Sequence, residues 1–276
     1  MKTILVPTDF SDLSTVALRY AVQVAAQLKA SIKIVSVVNV NTTSQTLMKW
    51  QKLEEEMLQI AEDDASRIID EIRSEFGKKV DIHYQSLRGF PVEVVLDHFA
   101  VEDKVDLIIM GTKGATGVKK ALLGSNAVAV IDHSSVPVLV VPGDAVFHGV
   151  RRIVYATDME DLDAQIKIIA PYAKLFNAEI SVLHVVPTRD TAEIDVKQIL
   201  GDLTKTSHYK AISFHVLKND HVADAVEQFS KEHGDLLALF THKLDLYEKL
   251  FGKSITQHLA FHAKLPLLSF NKTLVK

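Results

Sequence analysis

The sequence predicts an α/β protein made of two doubly wound parallel sheets in tandem, and three observations predict it. Short β-branched apolar runs alternate with amphipathic helical patterns along the chain, the rhythm of strands and crossover helices that cover both faces of a mostly parallel sheet. The pattern is written twice in 276 residues, a length that suits two domains of ordinary size. Each copy closes with a proline-led apolar run.

The elements follow in order. Thr3 to Val6 is a short apolar strand that turns at Pro7, Thr8 and Asp9. Leu13, Val16, Ala17, Tyr20, Ala21, Val24, Ala25 and Leu28 then recur at three- and four-residue steps and give one apolar helical stripe. Ile32 to Val38 reads as a buried strand, and a long amphipathic helix follows from about Thr46 to Phe76. Asp106 to Met110 is another apolar run, Asn126 to His133 is helical in pattern, and Val136 to Val141 is the closing strand. The second copy starts where Lys2–Asp9 meets Arg151–Asp158 at an offset of 149. Ile180 to Val186 matches the second strand at an offset of 148, and Asp235 to Ser269 matches Asp106 to Val140 at 129. The second copy is thus about 20 residues shorter, and the loss falls where the first carries its long helix. The predicted domains are 1–144 and 150–276, each a five-stranded parallel sheet with helices on both faces plus a closing edge strand. The two closing runs, Val136 to Val141 and Leu265 to Phe270, are expected to pack together, because a bare sheet edge exposes unpaired backbone groups.

Composition narrows the function classes. Hydrophobic content of 47% and charged content of 24% are those of a globular protein with a substantial core. A net charge of -4 lacks the basic excess that a phosphate backbone demands, so no nucleic acid partner is expected. With no cysteine, disulfides, thiolate catalysis and cysteine-ligated metal are excluded, and a reducing, cytoplasmic setting fits. No segment reaches the roughly 18 continuous apolar residues of a membrane span.

The chemistry concentrates in residues 111–125. Gly111, Gly114 and Gly124-Ser125 follow one strand and precede one helix. Glycines let an anion approach the backbone, and the first N–H groups of a helix are unpaired donors at its positive end. Ser125 adds a hydroxyl and Lys113 an ammonium, and the pattern points to a nucleotide. Both Asp9 and the glycine loop follow strands, so they can face each other across one crevice. Two plainer readings stand beside this one: Asp9 as the cap of the first helix, and Ser125 as the cap of the later one. In the second copy the three glycines become Phe240, Lys243 and Lys253, and Pro7 becomes Ala156. Those three side chains are expected to fill the phosphate space and leave the second half without a ligand. Gly252-Lys253-Ser254 ends like a P-loop but has Tyr247 where the earlier glycine belongs. His258 and His262 share a helical i, i+4 spacing, yet Leu259 stands where a zinc protease needs its acid.

Three segments together, Val6-Pro-Thr-Asp9-Phe-Ser11, Gly111-x2-Gly114-x9-Gly124-Ser125 and Ser135-Val-Pro137-Val-Leu-Val-Val141, resemble the universal stress protein family, as a tandem pair whose first half carries the motif of the ATP-binding branch. The resemblance implies Rossmann-like (adenine nucleotide alpha hydrolase-like) domains and ATP, ADP or AMP as ligand, with or without Mg. It implies Pro7, Thr8 and Asp9 at the adenosine end, Val37 against adenine, and Met110 and Gly111 along the ribose. Lys113, Gly114, Gly124, Ser125 and Asn126 surround the phosphates. It implies a nucleotide-dependent regulatory or interaction module with internal pairing of the halves, and leaves a homodimer and an unnamed protein partner open. Beside binding stand two other readings: a slow ATPase or phosphotransferase at the same site, and a nucleotide-independent scaffold. No catalytic constellation is legible, since Asp9 and a few lysines are the evident candidates.

Overall fold

A computed structural model describes residues 1–38, 47–78, 80–112, 124–241, 265–271 and 274. The first half runs β1 (Thr3–Pro7), α1 (Asp12–Leu28), β2 (Ser31–Val38), α2 (Leu47–Phe76), β3 (Ile82–Arg88), α3 (Val92–Glu102), β4 (Leu107–Gly111), α4 (Ser125–His133) and β5 (Val138–Val141). The second runs β6 (Arg152–Thr157), α5 (Leu162–Phe176), β7 (Glu179–Val186), α6 (Val196–Ser207), β8 (Ile212–Lys218), α7 (Val222–His233), β9 (Leu236–Thr241) and β10 (Leu267–Asn271). The described strands join one ten-stranded sheet in the order β3-β2-β1-β4-β5-β10-β9-β6-β7-β8.

The repeat offsets survive as sheet register. Ile4 pairs with Leu107, and Ile153 with Leu236; Ile108 pairs with Val138, and Leu237 with Leu267. Within each half the strands are parallel, and the closing strand is the fifth of the five. Where the halves meet, β5 and β10 run antiparallel, with Leu139 opposite Leu268. Neither closing strand is therefore an edge: each copy supplies the hydrogen-bond partner that the other lacks.

Alternation along the strands feeds two cores. Ile4, Ile34, Leu107 and Ile109 face the layer of α1, α2, α5 and α6. Leu5, Val35 and Ile108 face the layer of α3, α4 and α7. Both cores cross the seam, one through Leu139 and Leu268, the other through Val138 and Leu267, so the two halves share their apolar interior. Polar contacts repeat across it as well. The Asp106 carboxylate accepts from the N–H groups of Lys2 and Thr3, and Asp235 accepts from those of Arg151 and Arg152. The Tyr172 hydroxyl donates to the Asp106 carbonyl at 3.3 Å, and the Asn271 amide to the Asp132 carbonyl at 3.0 Å.

The length difference falls where the sequence places it. α2 has 30 residues and α6 has 12. Among the described residues, no helix is long and apolar enough to cross a membrane.

Candidate functional site

The first wall of the site is the turn after β1. Thr8 N–H donates to the Val35 carbonyl at 2.8 Å, which ties the turn to β2. The Thr8 hydroxyl oxygen accepts from Phe10 N–H at 2.9 Å, and Phe10 takes a left-handed φ of 59°. Ser11 holds the Asp9 carboxylate through its hydroxyl at 2.6 Å and its N–H at 3.1 Å. Ser11 is also the cap of α1, its side chain accepting from Ser14 N–H. Asp9 is consequently not the helix cap, which corrects the plainer reading of that residue. The cap role falls two residues later because Thr8 and Asp9 are occupied in folding the turn. The second half repeats the turn at Thr157 and Asp158, with Met159 at a φ of 74°.

The second wall is the gap between β4 and α4. Thr112 N–H bonds the Val141 carbonyl at 3.1 Å, and Gly124 N–H bonds the Thr112 carbonyl at 2.6 Å. The end of β4 and the start of α4 are thus held together. Gly124 is the N-cap residue of α4, and among the described residues no side chain caps that helix. Its first-turn residues Ser125, Asn126 and Ala127 line a cleft of about 250 Å³.

Pro7, Thr8, Asp9, Val37, Met110, Gly111, Gly124, Ser125 and Asn126 all line this cleft, so residues about 115 positions apart in sequence are brought together. Lys113 and Gly114 lie outside the described residues. Five further lining residues escaped the sequence reading: Ser14, Val35, Val92, Leu96 and Ala127. Val35 was legible as the same-face neighbour of Val37, because strand side chains alternate with a period of two. Ser14 was masked by the apolar stripe of α1, on whose buried face it lies, 5% exposed. Its hydroxyl contacts that of Thr8 at 3.0 Å and donates to the Ser11 carbonyl at 2.9 Å. The cleft therefore has an apolar floor of Val35, Val37, Leu96 and Met110, a hydroxyl-and-carboxylate wall at Thr8, Asp9 and Ser14, and a helix amino terminus at one end.

The second half builds something else. Phe240, expected to intrude on a phosphate path, turns into the core, stacks on Phe270 at 5.0 Å and meets Tyr155 edge-on at 5.9 Å. The correction follows from strand alternation: the position belongs to the α1 and α5 face, while the cleft opens over the other. Lys243, Tyr247, Lys253, Ser254, His258, Leu259 and His262 lie outside the described residues. Above the strand ends, Asp220 accepts from both the hydroxyl and the N–H of Thr188, at 2.6 and 2.9 Å. Those two bonds hold its carboxyl below the ordinary value. Lys218 reaches the Asp190 carbonyl at 2.9 Å. A hollow of about 410 Å³ in this half is lined by Asp161, Asp163 and Asp202, which would repel an anion. Among the described residues, no group of three histidine or carboxylate side chains could hold a metal ion.

A doubly wound α/β sheet with one polar-walled cleft at the ends of β1 and β4 defines the class of protein. Residues 1–142 match the universal stress protein family, and the chain belongs to that family. It is 37% identical over 142 residues to a universal stress protein of Methanocaldococcus jannaschii, an alignment covering 51% of this chain and 81% of the relative. To the universal stress protein YxiE of Bacillus subtilis it is 31% identical over 143 residues, 50% of this chain and 96% of that one. The whole-length likeness is one of fold. The crystal structure of a universal stress protein from Archaeoglobus fulgidus superposes with a TM-score of 0.70 at 19% identity, covering 98% of this chain and 96% of its own. A functionally unknown protein from Pseudomonas aeruginosa superposes with a TM-score of 0.63 at 14% identity, covering 100% and 94%.

Proposed function

We propose that this stress-response protein binds one adenine nucleotide, ATP, ADP or AMP, in the cleft of residues 1–144, and that residues 150–276 form a degenerate partner domain. The observation that carries the reading is the amino terminus of α4, which no described side chain caps and which opens on a cleft whose other end is apolar. An anion suits the positive end of a helix and its first-turn N–H groups, and an apolar floor suits a purine. Val35, Val37, Leu96 and Met110 receive the base. Asp9, held in place by Ser11, accepts from a sugar hydroxyl, and Ser125 and Asn126 donate to phosphate. By the family resemblance Lys113 and Gly114 would belong to the phosphate site, where Mg would offset the phosphate charge. The carboxylate-lined hollow of the second half supports its reading as a non-binding domain.

Binding without efficient turnover fits this site. Phosphoryl transfer requires a group that positions the attacking nucleophile, a metal carboxylate and cationic charge on the transferring phosphoryl. Among the described lining residues, Asp9 is the one carboxylate, and neither histidine nor arginine joins it. Nucleotide occupancy then acts on shape or partners, in a cytoplasmic setting that the absence of cysteine fits.

Acid release and mass spectrometry of what the purified full-length protein carries, followed by calorimetric titration with ATP, ADP and AMP, tests the reading. Val37→Asp should abolish binding, because it places a charge under the base. Ser125→Ala should weaken it by about 0.5–1.5 kcal/mol, one hydrogen bond. A folded protein that takes up none of the three nucleotides would overturn the reading in favour of a scaffold. Multiple-turnover phosphate release that disappears in Val37→Asp would convert it to a slow ATPase.

A further inference from the structure

We propose that the second half reads out occupancy of the first cleft through α4; the inference rests on the nucleotide reading and names the regulation of that site. α4 has nine residues, a length at which an isolated helix is unstable in water. Packing of Ala127, Val130 and Ile131 on the sheet holds its middle, and how far it frays depends on what bonds its two ends. At the amino end Ser125 and Asn126 line the cleft, and among the described residues no side chain caps the helix. At the carboxyl end the Asp132 carbonyl, one of the last-turn acceptors that no later helical N–H reaches, receives the side-chain amide of Asn271 at 3.0 Å.

Asn271 is the last residue of β10 and is 7% exposed. It pairs in register with Thr241, the last residue of β9. Because the halves meet antiparallel, the carboxyl end of α4 is delivered to the side of the second half where β9 and β10 finish. One short helix therefore joins the first cleft to the strand ends of the second half. An anion at the amino terminus caps α4 and suppresses fraying along its whole length. The firmer last turn presents the Asp132 carbonyl to Asn271 more persistently, which steadies the end of β10. The coupling needs no displacement of the sheet, only a change in how often α4 opens.

Hydrogen–deuterium exchange on the full-length protein, with and without saturating ATP and with ATP binding measured in parallel by calorimetry, tests the inference. ATP should slow exchange about threefold or more at 267–271 as well as along α4. In Asn271→Ala the slowing along α4 should remain, the slowing at 267–271 should vanish, and ATP affinity should fall by about threefold or less, the reciprocal of the coupling. ATP binding with protection confined to the cleft, or protection at 267–271 that persists in a folded Asn271→Ala, overturns the inference and leaves the nucleotide reading standing. Unchanged exchange at 267–271 in the parent protein decides the matter even if the variant fails to fold. Absence of nucleotide binding overturns both.

Discussion

Asp132 shows how one side chain records its surroundings. Half-buried near the carboxyl end of α4, its carboxyl is pushed up to about 6 by loss of solvent, with His133 pulling weakly the other way. The negative end of the helix dipole acts in the same direction as burial. A carboxyl whose folded value lies above its ordinary value of 3.8 holds its proton more tightly when folded. Its stabilising contribution is thus complete below about pH 4 and lost as pH rises through about 6. Asp132→Asn should therefore raise stability by about 1 kcal/mol near pH 8, discounted for the exposed half of the group, and change little near pH 4. Urea denaturation of parent and variant across that range checks it; a gain that is larger at low pH would contradict the sign.

At the scale of elements, α1 links folding to the candidate site. Ser11 caps the helix and at the same time holds the Asp9 carboxylate. Ser11→Ala should cost about 0.5–2 kcal/mol of stability as a lost cap. It should also weaken nucleotide binding, since Asp9 loses a donor that fixes its rotamer, whereas capping alone would leave affinity unchanged. Paired denaturation and calorimetry separate the two effects. β9 and β10 teach the complementary lesson: the same sheet pairing that sets Gly111 beside Val141 in the first half sets Phe240 beside Phe270 in the second. The second half fills with stacked rings the face that the first leaves to small side chains.

At the scale of the molecule, a ten-stranded sheet is made by two copies closing each other's edge. The outer edges are β3 and β8, which carry Arg88 and Lys218, charges that discourage further strand addition. The seam is apolar: Leu139 is 3% and Leu268 2% exposed. Leu139→Lys should bury an unpaired charge there and separate the halves. Small-angle scattering should then show a longer particle than the parent; an unchanged profile in a folded variant would mean that the seam does not hold the halves together.

By itself the sequence determined the repeat, its offsets and the α/β rhythm, because these rest on periodicities of two and 3.6 that local chemistry imposes. It also determined most of the cleft, since glycine, proline and the Thr-Asp turn are legible wherever backbone geometry is special. Tertiary structure decided what periodicity cannot encode. It showed that the closing strands, expected to pack together, pair antiparallel with Leu139 opposite Leu268, that Ser11 rather than Asp9 caps α1, and that Phe240 turns into the core. It brought Ser14, Val92 and Leu96 into the cleft and joined Asn271 to Asp132 across 139 positions. Each depends on which face of an element meets which neighbour, and that is fixed when the sheet closes and the halves dock.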